Sequence, residues 1–157
     1  GHLKATVDRG IGVDNVDFGA GEELGNPIIN TPNMVGREVA DVAMGYVMGL
    51  ARETFMIDHR VRQGDWLKIR GMSLAGKKVA LVGYGDIGRN TARRLLASDM
   101  LVTAFDPFFD QSQNPYPDVK FSEWPSKLGE FDFIVFTCAL TEGNQHMFSA
   151  AEMAQCK

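Results

Sequence analysis

Cysteine is scarce. Only Cys138 and Cys156 occur, and no CxxC pair is present. A disulfide framework and a cysteine-ligated zinc site are therefore not expected, and a reducing cytoplasm suits the chain best. Positive charge is also short: 16 Lys and Arg stand against 20 Asp and Glu, for a net charge of −4. No basic cluster or aromatic-basic stripe appears, which argues against nucleic acid as the main partner. No apolar run approaches the roughly 18 residues a membrane span needs, and the first residues lack the apolar stretch of a secretion signal. What remains is 157 residues, 45% hydrophobic and 23% charged, enough for one globular domain with a real core.

The most informative stretch is Lys78 to Asp106, KVALVGYGDIGRNTARRLLASDMLVTAFD. Val79 to Val82 form a continuous apolar run, as a parallel strand covered on both faces requires. Gly83-Tyr84-Gly85-Asp86-Ile87-Gly88 follows at once. Gly83 permits a tight turn, Gly85 lets a pyrophosphate approach the backbone, and Gly88 lets the next helix pack on the strand. That helix is predicted from Asp86 to about Ala97, with its N-terminal amides toward the anion. A second apolar run, Leu101 to Phe105, ends in Asp106, 18 residues beyond Gly88. A carboxylate there accepts both ribose hydroxyls of an adenosine and repels a 2′-phosphate, so the cofactor reads as NAD rather than NADP. A glycine motif alone is a weak signal. A strand before it, a helix and strand after it, and an acid at the right distance make a specific one.

Elsewhere, Leu3 to Val7 reads as a short strand, Val16 to Leu24 as a short helix, and Ile28-Ile29 as a brief strand. Asn30-Thr31-Pro32-Asn33 reads as a turn and a candidate hinge between domains. One long helix is predicted from Val35 or Gly36 to about Val61. Its apolar stripe is wider than a surface helix needs, so the helix is either covered on two sides by its own chain or shared with a partner subunit. Val119 to Phe121 is a further strand, Ser122 a candidate N-cap for a helix to Leu128, Phe133 to Phe136 a buried strand, and Ser149 the cap of a last helical segment. In a 3-2-1-4-5-6 sheet, Phe133–Phe136 pairs with the glycine-motif strand and expects another neighbour on its far side. Arg93 and Arg94 are expected to face water. Asp99 is expected to take a left-handed C-cap conformation. His59 reads as a solvated helix residue, His146 as a loop residue without an orienting carboxylate, and Cys138 as a pocket-lining thiol rather than a nucleophile.

Seven segments together resemble the D-isomer-specific 2-hydroxyacid dehydrogenases, the group of phosphoglycerate dehydrogenase and glyoxylate/hydroxypyruvate reductase. They are RGIGVDNVD (Arg9 to Asp17), NTPN with the helix through GLAR (Asn30 to Arg52), GDW, LAGKKVALVGYGDIG, FDP (Phe105 to Pro107), DFIVFTCALT (Asp132 to Thr141) and FSAAEMAQCK. The resemblance implies an α/β fold: the first part of a Rossmann-type doubly wound parallel sheet over residues 31–157, with a remnant of a flavodoxin-like substrate domain over residues 1–30. It implies hydride transfer between NAD and a small 2-keto or 2-hydroxy acid, in a homodimer formed through the helix near Val39–Phe55. Family members are about twice this length, so the chain is expected to be partial. The family's catalytic arginine, glutamate and histidine fall beyond Lys157.

For the site, the resemblance implies that Gly83, Gly85, Asp86, Ile87 and Gly88 cradle the pyrophosphate. Asp106 holds the ribose, with Pro107 beside it. Thr137, Cys138 and Ala139 border the adenine pocket, with Asn144 nearby. Gly10, Ile11 and Gly12 present amides to a substrate carboxylate, and Val35 and Gly36 lie near the nicotinamide. Three departures stand out. Asp86 occupies a position where the family often has arginine, and Ala139 one where it usually has proline. Arg9 lies one residue beyond the arginine of animal-type phosphoglycerate dehydrogenases, which turns its side chain to the other face and disfavours a phosphorylated substrate. Alternatives from other classes are an NAD-sensing, corepressor-like regulator of the same fold and a non-catalytic NAD-binding fragment.

Overall fold

The computed structural model describes residues 2–10, 12–13, 15–31 and 33–157. Its centre is β3 (Lys78–Val82), whose Val79, Ala80 and Leu81 are wholly buried. Such a strand needs neighbours on both edges and cover on both faces. β4 (Leu101–Phe105) lies parallel on one edge with Lys78 opposite Leu101, and β6 (Phe133–Phe136) lies parallel on the other with Val79 opposite Phe133. β5 (Lys120–Phe121) adds to β4, giving the order β5-β4-β3-β6. This is the expected 3-2-1-4 half of a doubly wound sheet. The far edge of β6 carries no strand among the described residues.

Alternation along the strands divides the core. Val79, Leu81, Val102 and Ala104 pack with Leu95 and Ala92 of α4 (Asp86–Leu96) and with Val47 and Ala51 of α2 (Gly36–Arg52). Ala80, Val82 and Phe105 face the other way, against Phe131, Trp124 and Met147. β1 (Thr6–Val7), α1 (Phe18–Glu23) and β2 (Ile28–Ile29) form a small separate unit, in which β1 and β2 pair in parallel.

Three expectations need correction. The long helix is two: α2 ends at Arg52, Glu53 takes a left-handed conformation (φ 56°), and α3 runs Thr54–Arg62. The reason is a competitor for a carbonyl. Met72 N–H donates to Ala51 O at 2.8 Å, the acceptor that an unbroken helix would offer to Phe55, and the Phe55 ring folds back onto Gly49 instead. No helix follows Ser122. Pro125 disfavours helical geometry at Trp124, Lys127 is left-handed, and only a turn of 3-10 helix forms at Leu128–Glu130. The Ser122 hydroxyl bonds that of Ser126 at 2.8 Å. Finally, Arg94 does not face water. Its Nε donates to Asp41 Oδ1 of α2 at 2.6 Å and its Nη2 to Arg37 O at 3.1 Å. Asp99 is left-handed as expected (φ 57°), and Ser149 caps α5 (Ala150–Met153) through a capping box with Glu152.

Tyr84 locks the long β4–β5 connection to the glycine turn. Its ring is fully buried, edge-on to Phe109 (4.8 Å) and Phe121 (5.1 Å), and its hydroxyl donates to Asn114 Oδ1 at 2.8 Å. Burial pushes its ionisation up to about 12 from the ordinary 10. The folded chain therefore holds the proton more tightly than the unfolded one. Stability from this group is intact below pH 10 and falls between pH 10 and about 12. An alkaline absorbance titration should show one tyrosine ionising near 12. Tyr84→Phe should remove that step and lower stability by about 1 kcal/mol in denaturant unfolding, the worth of one hydrogen bond.

Candidate functional site

The loops at the carboxyl ends of β3, β4 and β6 converge, as they must in a parallel sheet whose strands all point one way. At the centre is the turn from β3 into α4. Gly83 has φ 94°, and a Cβ there would lie 2.5 Å from Cys138 N. A Cβ on Gly88 would run into Gly83 O and approach Thr137 Oγ1 at 3.1 Å. Thr137 closes the triangle by donating its hydroxyl to Gly83 O at 2.8 Å. These three contacts exclude side chains. Gly85 differs, because a Cβ there would meet nothing within 4 Å. Its bareness leaves open space above the first turn of α4, where no side chain caps the helix. The leading N–H groups of α4 thus combine unfilled donors with the positive end of the helix dipole. Ile87, in the same turn, is half-buried.

Asp106 stands beside this opening at the end of β4. Its Oδ2 accepts from Tyr84 N–H at 2.7 Å and its Oδ1 from Phe108 N–H at 2.9 Å. Each oxygen keeps a lone pair, so the carboxylate is fixed in direction yet still able to accept two more hydrogen bonds. Pro107 and Phe108 are exposed next to it, Phe108 almost fully. On the other side, Cys138 and Ala139 line a groove of about 300 Å³ with Phe136, Asn144, Met147 and Phe148. Asn144 shapes that groove: its Nδ2 donates to Ala139 O and its Oδ1 accepts from Thr141 N–H, both at 2.7 Å. Burial pushes the Cys138 thiol above its usual range, and the Asp106 carboxylate adds to the effect. The thiol is held neutral rather than activated.

Of the residues singled out from the sequence, Gly83, Gly85, Gly88, Asp106, Thr137, Cys138, Ala139 and Asn144 come together here. Asp86 lies at the same turn, but its carboxylate is turned to α2, where a Cβ on Gly36 would overlap its Oδ2, and it is held there by Asn90 of α4, whose Nδ2 donates to its Oδ1 at 3.1 Å. Gly10 and Gly12 belong to the β1–β2 unit. The Gly10 N–H is taken by Asp8 Oδ1 at 2.9 Å and its carbonyl by Thr31, while Gly12 is exposed. Ile11 lies outside the described residues. The sequence reading missed Tyr84 with Asn114, and the seam formed by Asp86, Asn90 and Arg94. An aromatic inside the glycine turn facing an Asn-Pro turn, and polar residues spaced four apart, were the available signals.

Comparison with known proteins places the chain in a family. Residues 44–157 match the model of the "D-isomer specific 2-hydroxyacid dehydrogenase, NAD binding domain". The hydroxypyruvate reductase of Thermotoga maritima is 33% identical over 99% of this chain and 51% of its own length. Among solved structures, apo D-lactate dehydrogenase from Escherichia coli superposes with a TM-score of 0.82 at 30% identity, covering 98% of this chain and 49% of that one. A glyoxylate reductase from Paecilomyes thermophila gives 0.86 at 28% identity, over 98% and 47%. The chain thus spans about half the length of these relatives. It belongs to the D-isomer-specific 2-hydroxyacid dehydrogenase family, and the match over residues 44–157 is to that family's NAD-binding domain.

Proposed function

We propose that this chain supplies the NAD-holding part of an oxidoreductase that interconverts a 2-keto acid and a D-2-hydroxy acid. The observation that carries this reading is the uncapped start of α4 beneath the bare Gly85, with the fixed carboxylate of Asp106 alongside. Backbone N–H groups of Gly85 to Gly88 hold the pyrophosphate, Asp106 accepts the ribose hydroxyls, and the groove beside Cys138 and Ala139 takes the adenine. When bound, NAD supplies the hydride acceptor or donor. The chain's own residues bind it, orient it and keep the adenine end out of water. Residues 31–157 act as the nucleotide domain and residues 1–30 as part of the substrate-binding unit. The 2-keto acid is of the hydroxypyruvate or glyoxylate class, on the likeness to enzymes of those names. No helix among the described residues is long and apolar enough to cross a membrane. Two unpaired thiols suit a reducing cytoplasm.

The exposed face of α2 supports a homodimer as part of this proposal. One stripe of this helix, Ala40, Val47 and Ala51, is buried within the chain. A second stripe at Val42, Tyr46 and Leu50 is 57–64% exposed. Two apolar stripes on one helix call for two partners, and the second is a copy of the same helix.

Two measurements test the nucleotide site. By titration, the protein should bind NADH in preference to NADPH. Asp106→Ser should weaken NADH about tenfold or more and narrow that preference, since a hydrogen bond to a charged group is worth about 1.5–3 kcal/mol. Equal binding of the two cofactors by the unaltered protein would exclude the assignment. At pH 8, maleimide should label Cys138 more slowly than a free thiol, and saturating NADH should slow it further; unchanged labelling would place the nucleotide elsewhere. For the activity itself, the natural protein carrying this sequence should oxidise NADH in the presence of hydroxypyruvate or glyoxylate.

A further inference from the structure

The acid inside the glycine turn poses an electrostatic problem. A carboxylate at the first position of α4 is favoured by that helix's dipole, yet it stands next to the place best suited to a bound anion, which it would repel. The structure shows where that charge goes. Asp86 Oδ2 rests against the Cα of Gly36, the first residue of α2, so closely that a Cβ on Gly36 would overlap it. Asn90, one turn on, fixes the orientation: its Nδ2 donates to Asp86 O at 2.9 Å and to Asp86 Oδ1 at 3.1 Å. The same face of α4 continues to Arg94, which reaches Asp41 Oδ1 at 2.6 Å and Arg37 O at 3.1 Å. Arg94 also donates to Asn90 O at 2.9 Å. Asp86, Asn90 and Arg94 recur every four residues and so form one stripe. That stripe meets α2 at Gly36, Arg37 and Asp41. Asp86, Asn90, Gly36, Arg37 and Glu38 also line one cavity of about 410 Å³.

We propose that Asp86 is a positioning residue that fastens the first turn of α4 to the first turn of α2, and that it does so at the expense of cofactor affinity. The carboxylate lies against the start of α2, where the helix dipole favours an anion. A Cβ at Gly36 would displace the carboxylate from this seat. The pyrophosphate is consequently held by backbone N–H groups alone, against a residual repulsion from Asp86. The glycine turn and the first turn of α2 are thereby held together.

The affinity arm of this proposal rests on the NAD reading above; the packing arm does not. Asp86→Asn keeps the shape and the acceptor for Asn90 while removing the charge. It should tighten NADH about three- to tenfold at low salt, the scale of one charge acting on a nearby dianion in water. The gain should vanish near 1 M salt, and binding of adenosine, which lacks phosphate, should not change. A purely structural role would move adenosine and NADH together, and that result would overturn the proposal. Independently, Gly36→Ala should lower the thermal midpoint by several degrees in the natural background and by almost nothing in Asp86→Ala. An equal loss in both backgrounds would show that the carboxylate does not occupy that space, and would also overturn it. Should the unaltered protein fail to bind NADH at all, the cofactor reading falls, and the Gly36–Asp86 cycle alone decides the fastening.

Discussion

Three backbone segments meet at the carboxyl end of β3: the glycine turn, the start of α4 and the strand exit at Thr137–Cys138. They approach so closely that side chains are forbidden at Gly83 and Gly88. Everything else in the site is arranged around that contact. The missing Cβ atoms let Thr137 donate to Gly83 O, which ties β6 to the turn. The same approach brings Cys138 over Gly83 and so sets the floor of the groove beside it. Gly85 differs from Gly83 and Gly88 in being open, since a Cβ there would meet nothing within 4 Å. The first two glycine contacts are packing constraints, whereas the third leaves room for something that is not protein.

The sheet holds this contact in place by burying β3 on both faces, but the two faces do so differently. One is covered by α4 and α2, helices whose own contact is partly polar through Arg94 and Asp41. The other is covered by aromatic rings without a long helix: Trp124 lies edge-on to Phe105 at 5.5 Å and to Phe136 at 5.6 Å, and its Nε1 donates to Met147 O at 3.2 Å. Large rings cover more area per residue than a helix of small side chains and can do so from a loop. That explains how the 122–131 stretch closes a core without regular structure.

The four sheet strands and α4 were legible because each signal was local and reinforced by its neighbours: an apolar run, a glycine turn, a helix, an acid. The break at Glu53 was not legible. The helical pattern continues through it, and the competitor for Ala51 O is Met72, some twenty residues away. Ser122 failed for the converse reason, since a plausible cap is followed by Pro125, which disfavours helical geometry at Trp124. Arg94 was misplaced because a charged residue on a helix is ordinarily solvated, and only tertiary packing supplied its partner on α2. At the site, residue identity was readable but direction was not. Asp86 and Asp106 are both acids flanking one turn, and nothing in the chain order says that one faces α2 while the other faces the opening.

That difference in direction governs what the site can do. Asp106 is oriented by two backbone N–H groups, Tyr84's and Phe108's, so its geometry depends on main chain rather than on a mobile side-chain partner. Tyr84 is immobilised in turn by its buried ring and its bond to Asn114. A ligand that meets a carboxylate already fixed loses less conformational freedom on binding than one that must order it. The donors at the start of α4 are equally fixed, being backbone. Both halves of the proposed recognition therefore derive from the fold itself. The freedom left to the sequence is electrostatic: which acids remain facing the opening, and which are drawn off by a neighbouring helix.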